Sequence, residues 1–420
     1  MAYSVSFSGE AVPAELRWKA AGAIPIAVSA SLLNESSNIK SDSDVAGAVR
    51  RSLETWEKFA DIKFQRTDSE KQSVSPSGPS GDGVSLITVA QTPENALLFA
   101  KDPERVAATT RVFYNGRGVI TEADIVLNPY QQFSTDGTPG TFDLESALTH
   151  EIGHLLGLDH SSLLSSTMHL NYGKNGTYGI QNVAARTLSA EDIAAVRAIY
   201  GTPAGEAECC GGVSGKLTLD NGRPARNVNI WIEDSEGRVY GQRLTSPDGS
   251  FRFVGLSSGN YSVYSESTGR SKELSPVQKI GAVSVEFGET ATLTGRIEAG
   301  ARDLEISYLG FNGQLSDLAV PLNAGRSHRV YLGGKNLDAK RTAISFNSPY
   351  LTATPDSATA HDYGEGLTVI SFEVRVDPRT PSGEYTIMAE SENGGKVAVP
   401  GGLTIDESAS PMLSLAVPSN

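Results

Sequence analysis

One stretch limits what this chain can fold into more than any other: His150-Glu151-Ile152-Gly153-His154-Leu155-Leu156-Gly157-Leu158-Asp159-His160. It holds three of the six histidines in the sequence. His150 and His154 are four apart, so a helix stacks them on one face. The preceding run, residues 143–149, supports such a helix. Leu144, Ala147, Leu148, Ile152 and Leu155 make an apolar stripe at helical period. Gly157 predicts the helix stop, because glycine accepts the left-handed backbone that a helix end often needs. The chain then turns, and His160 can reach back toward the other two histidines.

Two imidazoles on one helix face can bind one cation, and His160 supplies a third nitrogen. Three neutral imidazoles leave a zinc ion its full charge and one open position, as in catalytic sites and unlike closed structural ones. Water in that position has its pKa lowered to roughly 7. Glu151 follows the first ligand directly, beside the metal without pointing straight at it. It can accept the water's proton and later pass it to a leaving amine. These parts suffice for adding water to a peptide bond, with no covalent enzyme intermediate. Incidental histidines would explain a bare His-Glu-x-x-His; the added Gly157 and His160 make that reading remote. A two-histidine site completed by a distant glutamate fits poorly too, since a continuing helix has no need of Gly157.

On these residues the chain resembles the metzincin metalloproteases and, within them, the matrixins. Ser166-Thr167-Met168, shortly past His160, looks like the methionine turn that lies under the zinc in that family. Ser161, directly after the third histidine, resembles the matrixin choice. Tyr172 stands where matrixins have a tyrosine in the wall of the specificity pocket, and Leu170 where many have proline. Residues 188–201 look like the family's closing helix, and residues 120–128 like the strand leading to the active-site helix. The resemblance implies an α/β (α+β) catalytic domain with a twisted mixed sheet. It implies one catalytic zinc on His150, His154 and His160, with Glu151 as general base, Met168 supporting and Tyr172 in the pocket. Two departures stand out: no histidine and no cysteine precede His150, so imidazole ligands for a second zinc and a cysteine-switch segment are both missing. A bound calcium is common in the family, but its ligands stay unassigned. Asp82, Asp102, Asp124 and Asp136 could serve, although each reads more simply as a solvated turn residue.

The remaining pattern of the first half fits such a domain. Residues 24–28 read as a first strand. Residues 42–59 read as a helix capped by Ser41 or Ser43, with Val45, Val49, Leu53 and Trp56 on one side. Residues 62–65 and 84–89 are strand candidates, separated by a Ser/Pro/Gly-rich loop at 73–82. Residues 111–114, Asn115-Gly116 and the run from Val119 read as a hairpin. By resemblance, residues 106–114 would be an antiparallel edge strand, along which an extended peptide can dock.

After residue 203 the grammar changes to short alternating strands with Gly, Asn and Asp turns, which predicts all-β sandwiches. Residues 212–298 resemble the carboxypeptidase-regulatory-like, transthyretin-like module, through the Asp248-Gly249 turn and the Gly259-Asn260-Tyr261 strand start. Residues 299–407 resemble an immunoglobulin-like module, with Thr380-Pro381-Ser382-Gly383-Glu384-Tyr385 as its late strand. The chain is thus expected to be multidomain: a catalytic domain at 1–203, a linker at 204–211, two sandwiches, and a loose Ser/Pro-rich tail at 408–420. His328 and His361 are isolated and read as ordinary module residues. The two cysteines, Cys209 and Cys210, are adjacent in the linker; a vicinal disulfide, an intermolecular bridge and free thiols all stay open.

The 420 residues suit about three domains. A net charge of −14 argues against nucleic acid or an anionic membrane as partner. No apolar run is long enough to span a bilayer. The N-terminus lacks a charged and then apolar leader, and the composition favours a secreted bacterial protein whose signal peptide has been removed. The expected function is a secreted, monomeric zinc endopeptidase acting on proteins or peptides, its β-modules binding a surface or merely spacing the protease. The competing expectation is an adhesive or matrix-binding protein with an idle or structural zinc site, against which the intact Glu151 speaks.

Overall fold

The computed structural model describes residues 6, 14–19, 22–34, 36–75, 80–205, 209–267, 276–298, 303–364 and 366–406. The tail expected at 408–420 lies outside them, as does part of the loop expected at 73–82.

The first unit runs β1 (Ile24–Ser29), α1 (Ala30–Leu33), α2 (Val45–Glu57), β2 (Phe64–Ser69), β3 (Leu86–Thr88), α3 (Pro93–Leu97), β4 (Ala108–Tyr114), β5 (Ile120–Leu127), β6 (Phe133–Ser134), β7 (Phe142–Asp143), α4 (Leu144–Leu155) and α5 (Ala190–Tyr200). Its five-stranded sheet has the order β2-β1-β3-β5-β4, parallel except for β4, which pairs antiparallel with β5 at the edge. One apolar core joins sheet and helices, and the stripe Leu144, Ala147, Leu148, Ile152 and Leu155 is wholly within it. Helix α2 packs on α4: the Trp56 indole donates to the Thr149 carbonyl at 2.9 Å, and the Ser52 hydroxyl to the Glu145 carbonyl at 3.1 Å. Gly153 faces that contact because a Cβ there would meet Met168 Sδ at 2.2 Å and Trp56 Cζ2 at 2.9 Å.

Three boundaries differ from the sequence reading. Helix α2 is capped by Asp44, whose carboxylate accepts from the Gly47 N–H at 3.0 Å, in place of Ser41 or Ser43. A carboxylate at a helix start gains from the helix dipole as well as from the hydrogen bond. Strand β2 begins at Phe64 and continues to Ser69, because it pairs with β1 along its full length, from Ile24↔Phe64 to Ser29↔Ser69. Its outer residues are polar, so apolar alternation could not reveal that extent. The region read as a linker already carries structure: the next strand starts at Cys209, and Cys209 and Cys210 are disulfide-bonded to each other.

The second unit holds β8 (Cys209–Leu219), β9 (Val228–Asp234), β10 (Val239–Leu244), β11 (Ser250–Ser257), β12 (Gly259–Ser267), β13 (Gln278–Val285) and β14 (Thr290–Ile297). They form sheets β10-β9-β12-β13 and β11-β8-β14 around one core that includes Ile230, Ile232, Phe251 and Phe253. The third holds β15 (Glu305–Phe311), β16 (Gln314–Ser316), β17 (Val320–Leu322), β18 (Ser327–Lys335), β19 (Ala343–Phe346), β20 (Leu351–Ala353), β21 (Thr359–Asp362), β22 (Thr368–Val376), β23 (Gly383–Glu390) and β24 (Lys396–Ile405). Its sheets are β16-β15-β18-β22-β20, with β21 also on β22, and β17-β24-β23-β19.

The units are packed on one another. A Cβ on Gly255 of β11 would stand 2.1 Å from the Ala194 carbonyl of α5, so the strand and helix backbones touch. Glu191 of α5 accepts from the Gln242 N–H at 3.3 Å. Between the second and third units, buried Glu233 accepts from Thr386 Oγ1 at 2.5 Å and Asn347 Nδ2 at 2.7 Å. The first and third units share a core: Tyr178 and Ile180, from the loop after the methionine, are members of the third unit's core.

Candidate metal centre

Helix α4 starts at the cap Asp143, whose carboxylate accepts from the Ser146 N–H at 2.8 Å and pairs with Arg186. Its last residue is Leu155, and Gly157, two residues on, has φ +95°. The Leu158 N–H bonds the Gly153 carbonyl at 3.0 Å and the Gly157 N–H bonds the His154 carbonyl at 2.9 Å. This pair of bonds closes the helix and needs a left-handed residue at Gly157. A side chain there would also strike the Leu16 carbonyl, its Cβ lying 2.2 Å away. The Trp18 indole and the Tyr200 hydroxyl satisfy the last helical carbonyls, of Leu155 and Leu156, at 2.8 and 2.7 Å. The chain is therefore turned back sharply, and His160 comes to face the helix.

The three histidines converge. His154 Nε2 stands 3.1 Å from His150 Nε2 and 3.2 Å from His160 Nε2. Nitrogens about 2.0–2.1 Å from one tetrahedral zinc are about 3.3 Å apart, so this spacing fits a shared ion. The opposite ring nitrogens are tied to carbonyls: His150 Nδ1 to Thr167 at 2.7 Å and His154 Nδ1 to Leu158 at 2.9 Å. Each such bond puts the proton on Nδ1 and leaves Nε2 as a lone pair aimed inward. Burial holds His150 well below its ordinary pKa, takes His154 down to about 4 and lowers His160 as well. All three are then neutral near pH 7, the form that binds metal. Among the described residues, this is the one group of three or more His, Cys, Asp or Glu side chains placed to hold an ion.

Glu151 is 2% exposed, and its Oε2 accepts from the Thr110 hydroxyl at 2.6 Å. Burial pushes its carboxyl up to about 7, and the Thr110 hydrogen bond opposes that rise. The histidines, Glu151 and Tyr172 line one open cleft of about 860 Å³. The edge strand β4 forms one side of it through Ala108, Thr109, Thr110 and Val112. Leu170 to Lys174 form the other. The Tyr172 ring lies 5.0 Å from the His150 ring and 6.0 Å from that of Phe142. Leu170 is exposed at the rim. Met168 lies buried against Gly153, the residue before His154 on α4.

Sequence reasoning missed what holds these parts. Asp192 accepts from the Ser166 hydroxyl and the Thr167 N–H, both at 2.7 Å, fixing the turn whose carbonyl orients His150. The same carboxylate closes a capping box with Ser189 at the start of α5. Glu191 accepts from the Ser161 hydroxyl at 2.7 Å, steadying the segment after His160. The Ser189-x-x-Asp192 cap is visible in the sequence; its second duty under the site is not. Thr110 carried no signal beyond its place on an edge strand.

The acids considered for calcium each have a protein partner. Asp82 pairs with Lys71, Asp136 with Lys40, Asp124 accepts from the Ser75 and Leu86 N–H groups, and Asp102 from the Arg105 N–H. His328 lies beside Asn323, and His361 beside the Ser371 hydroxyl.

Fold and site together define a domain built around a three-histidine centre in an open cleft. Residues 18–201 match the family model described as Matrixin. Among similar proteins, the metalloendoproteinase 1-MMP of Arabidopsis thaliana is 29% identical over 167 residues, 38% of this chain and 38% of its own length. A macrophage metalloelastase of Oryctolagus cuniculus is 25% identical over 163 residues, 38% of this chain and 30% of its own length. The chain thus covers well under half of these relatives. Among solved structures, the major pilin BcpA of Bacillus cereus covers 46% of this chain and 69% of its own at 15% identity and a TM-score of 0.20. The minor pilin GBS52 of Streptococcus agalactiae covers 23% and 48% at 18% identity and a TM-score of 0.19. Scores that low carry no argument about fold or function. The chain therefore combines a matrixin-type region with a largely β C-terminal region, and no described helix is long and apolar enough to cross a membrane.

Proposed function

We propose that the protein is a zinc-dependent endopeptidase acting on proteins or peptides outside the cell. The observation that carries this reading is the convergence of three Nε2 atoms beside a buried carboxylate, inside a cleft edged by an antiparallel strand. His150, His154 and His160 would hold the ion. When bound, zinc supplies positive charge that polarises a carbonyl and acidifies water. Strand β4, the last strand of its sheet, aligns an extended peptide across the histidines. Glu151 takes a proton from the attacking water and delivers it to the leaving amine. Its raised pKa suits both halves of that transfer near neutrality. Thr110 holds the carboxylate in place, and the Tyr172 side chain walls the pocket beyond the cut.

The test is cleavage of a generic unfolded protein by the wild type and by Glu151→Ala, with metal analysis of both. Cleavage by the wild type alone, with one zinc per chain in each, is the expected result. Zinc in both with cleavage by neither would overturn the proposal and favour a binding protein with an idle site.

A further inference from the structure

A second, inner cavity of about 60 Å³ lies behind Tyr172. By the measure of about 10–15 Å³ per water, it has room for several waters or the end of one aliphatic side chain. Asn171, Tyr172, Thr177 and Leu318 line both this cavity and the cleft over the histidines. The cavity therefore borders the cleft across these four side chains, and Leu318 belongs to the third unit. Its wall is mainly apolar, with Leu164, Ile180 and Ala185 from the first unit and Leu318, Ala319 and Pro321 from the third. The remaining lining side chains include one carboxylate, Asp406.

Leu318 is held against the first unit by several contacts. A Cβ on Gly173 would stand 2.4 Å from Leu318 Cδ1, so glycine leaves the space that Leu318 fills. The Tyr178 hydroxyl donates to the Leu318 carbonyl at 2.9 Å. Its N–H donates to Gln314 at 2.7 Å, and its carbonyl accepts from Asn312 at 2.8 Å. Asn171, at the cleft, donates to Asp317 at 2.8 Å.

We propose that the third unit is a working part of the substrate cleft. Leu318 walls the inner pocket and so limits the size of the substrate side chain that can enter it. This inference rests on the peptidase reading, and it makes Leu318 a specificity-determining residue supplied from outside the matrixin-type region. Leu318→Ala deepens the pocket; Leu318→Phe shortens it.

The experiment uses the full chain, loaded with zinc. A peptide panel varies one position among Ala, Leu, Phe and Lys. Cleavage is followed in wild type, Leu318→Ala and Leu318→Phe. Binding of the same panel is followed in a Glu151→Gln background, where peptides are held without being cut. The expected result is a Phe-to-Leu preference raised about tenfold by Leu318→Ala and lowered by Leu318→Phe, with zinc content unchanged. Opposite shifts from two variants cannot come from general damage. Unchanged preference in both variants, by cleavage and by binding, overturns the proposal. Binding preferences that follow Leu318 in a chain that cleaves nothing would support it while rejecting the peptidase reading. A dominant preference for Lys independent of Leu318 would overturn it in favour of recognition by Asp406.

Discussion

Tyr178 offers the sharpest test of how the units are joined. It is 2% exposed, sits at φ +60°, and places its ring in the core of the third unit, where its hydroxyl reaches the Leu318 and Leu309 carbonyls at 2.9 and 3.3 Å. Tyr178→Ala deletes a buried aromatic side chain, which costs about 3–5 kcal/mol where the site cannot collapse. The lost hydroxyl bonds add about 1 kcal/mol. Alanine carries the same left-handed backbone penalty as tyrosine, so that term cancels. The joint should weaken by about 4–6 kcal/mol. Tyr178→Phe keeps the ring and leaves two carbonyls short of a donor, for a loss of about 1–3 kcal/mol. Hydrogen exchange reads this directly, since the Tyr178 and Ile180 amides are protected by bonds to Gln314 and Thr177. In Tyr178→Ala the loop at 171–187 should exchange at least a hundredfold faster, a difference worth about 2.7 kcal/mol. Exchange within threefold of wild type would refute the claim that this residue pins the loop to the third unit.

Other outcomes follow from the same structure. Thr110→Val removes the hydroxyl that holds Glu151; a hydrogen bond to a charged group is worth about 1.5–3 kcal/mol, or about one to two pKa units. The acidic limb of the kcat/KM profile should move up by that amount, and an unmoved limb would contradict the assigned contact. Gly157→Ala forces a Cβ to 2.2 Å from the Leu16 carbonyl at φ +95°. Strain of about 1–3 kcal/mol should displace His160 and weaken zinc binding about tenfold or more in a competitive chelator titration; unchanged affinity would show that the turn tolerates a side chain. Burial raises the carboxyls of Glu191, Glu233 and Glu384, between the packed units, from 4.5 to about 7, about 7 and about 8. The folded chain therefore binds these protons more tightly than the unfolded chain. The associated stability is full below pH 4.5 and is lost as pH rises through 7 to 8. With zinc saturating, the melting temperature should fall between about pH 6 and about pH 8.5, and a rise would contradict the linkage.

The site was legible because its parts are close in sequence and each has a local cause. A spacing of four puts His150 and His154 on one helix face, and a glycine at 157 turns the chain in time for His160. The β-rich second half was legible from alternation and turn residues. What stayed hidden is long-range. Asp192 reads as a helix cap, and nothing near it in the sequence says that the same carboxylate holds Ser166 and Thr167 under His150. Tyr178 lies in a Gly-rich loop and gives no sign that it is buried, because its cover comes from residues 309–318. Leu318 lies more than a hundred residues from the cleft it lines. The sequence grammar that separates units cannot say whether they touch, since contacts depend on surfaces such as Gly255 against Ala194.

The proposed chemistry requires an open three-histidine zinc site. X-ray absorption at the zinc edge, on the full chain and on Glu151→Gln, measures that directly. Three imidazole nitrogens at about 2.0–2.1 Å with one further oxygen are expected in both proteins. Sulfur ligation, or a fourth protein ligand closing the site, would contradict it.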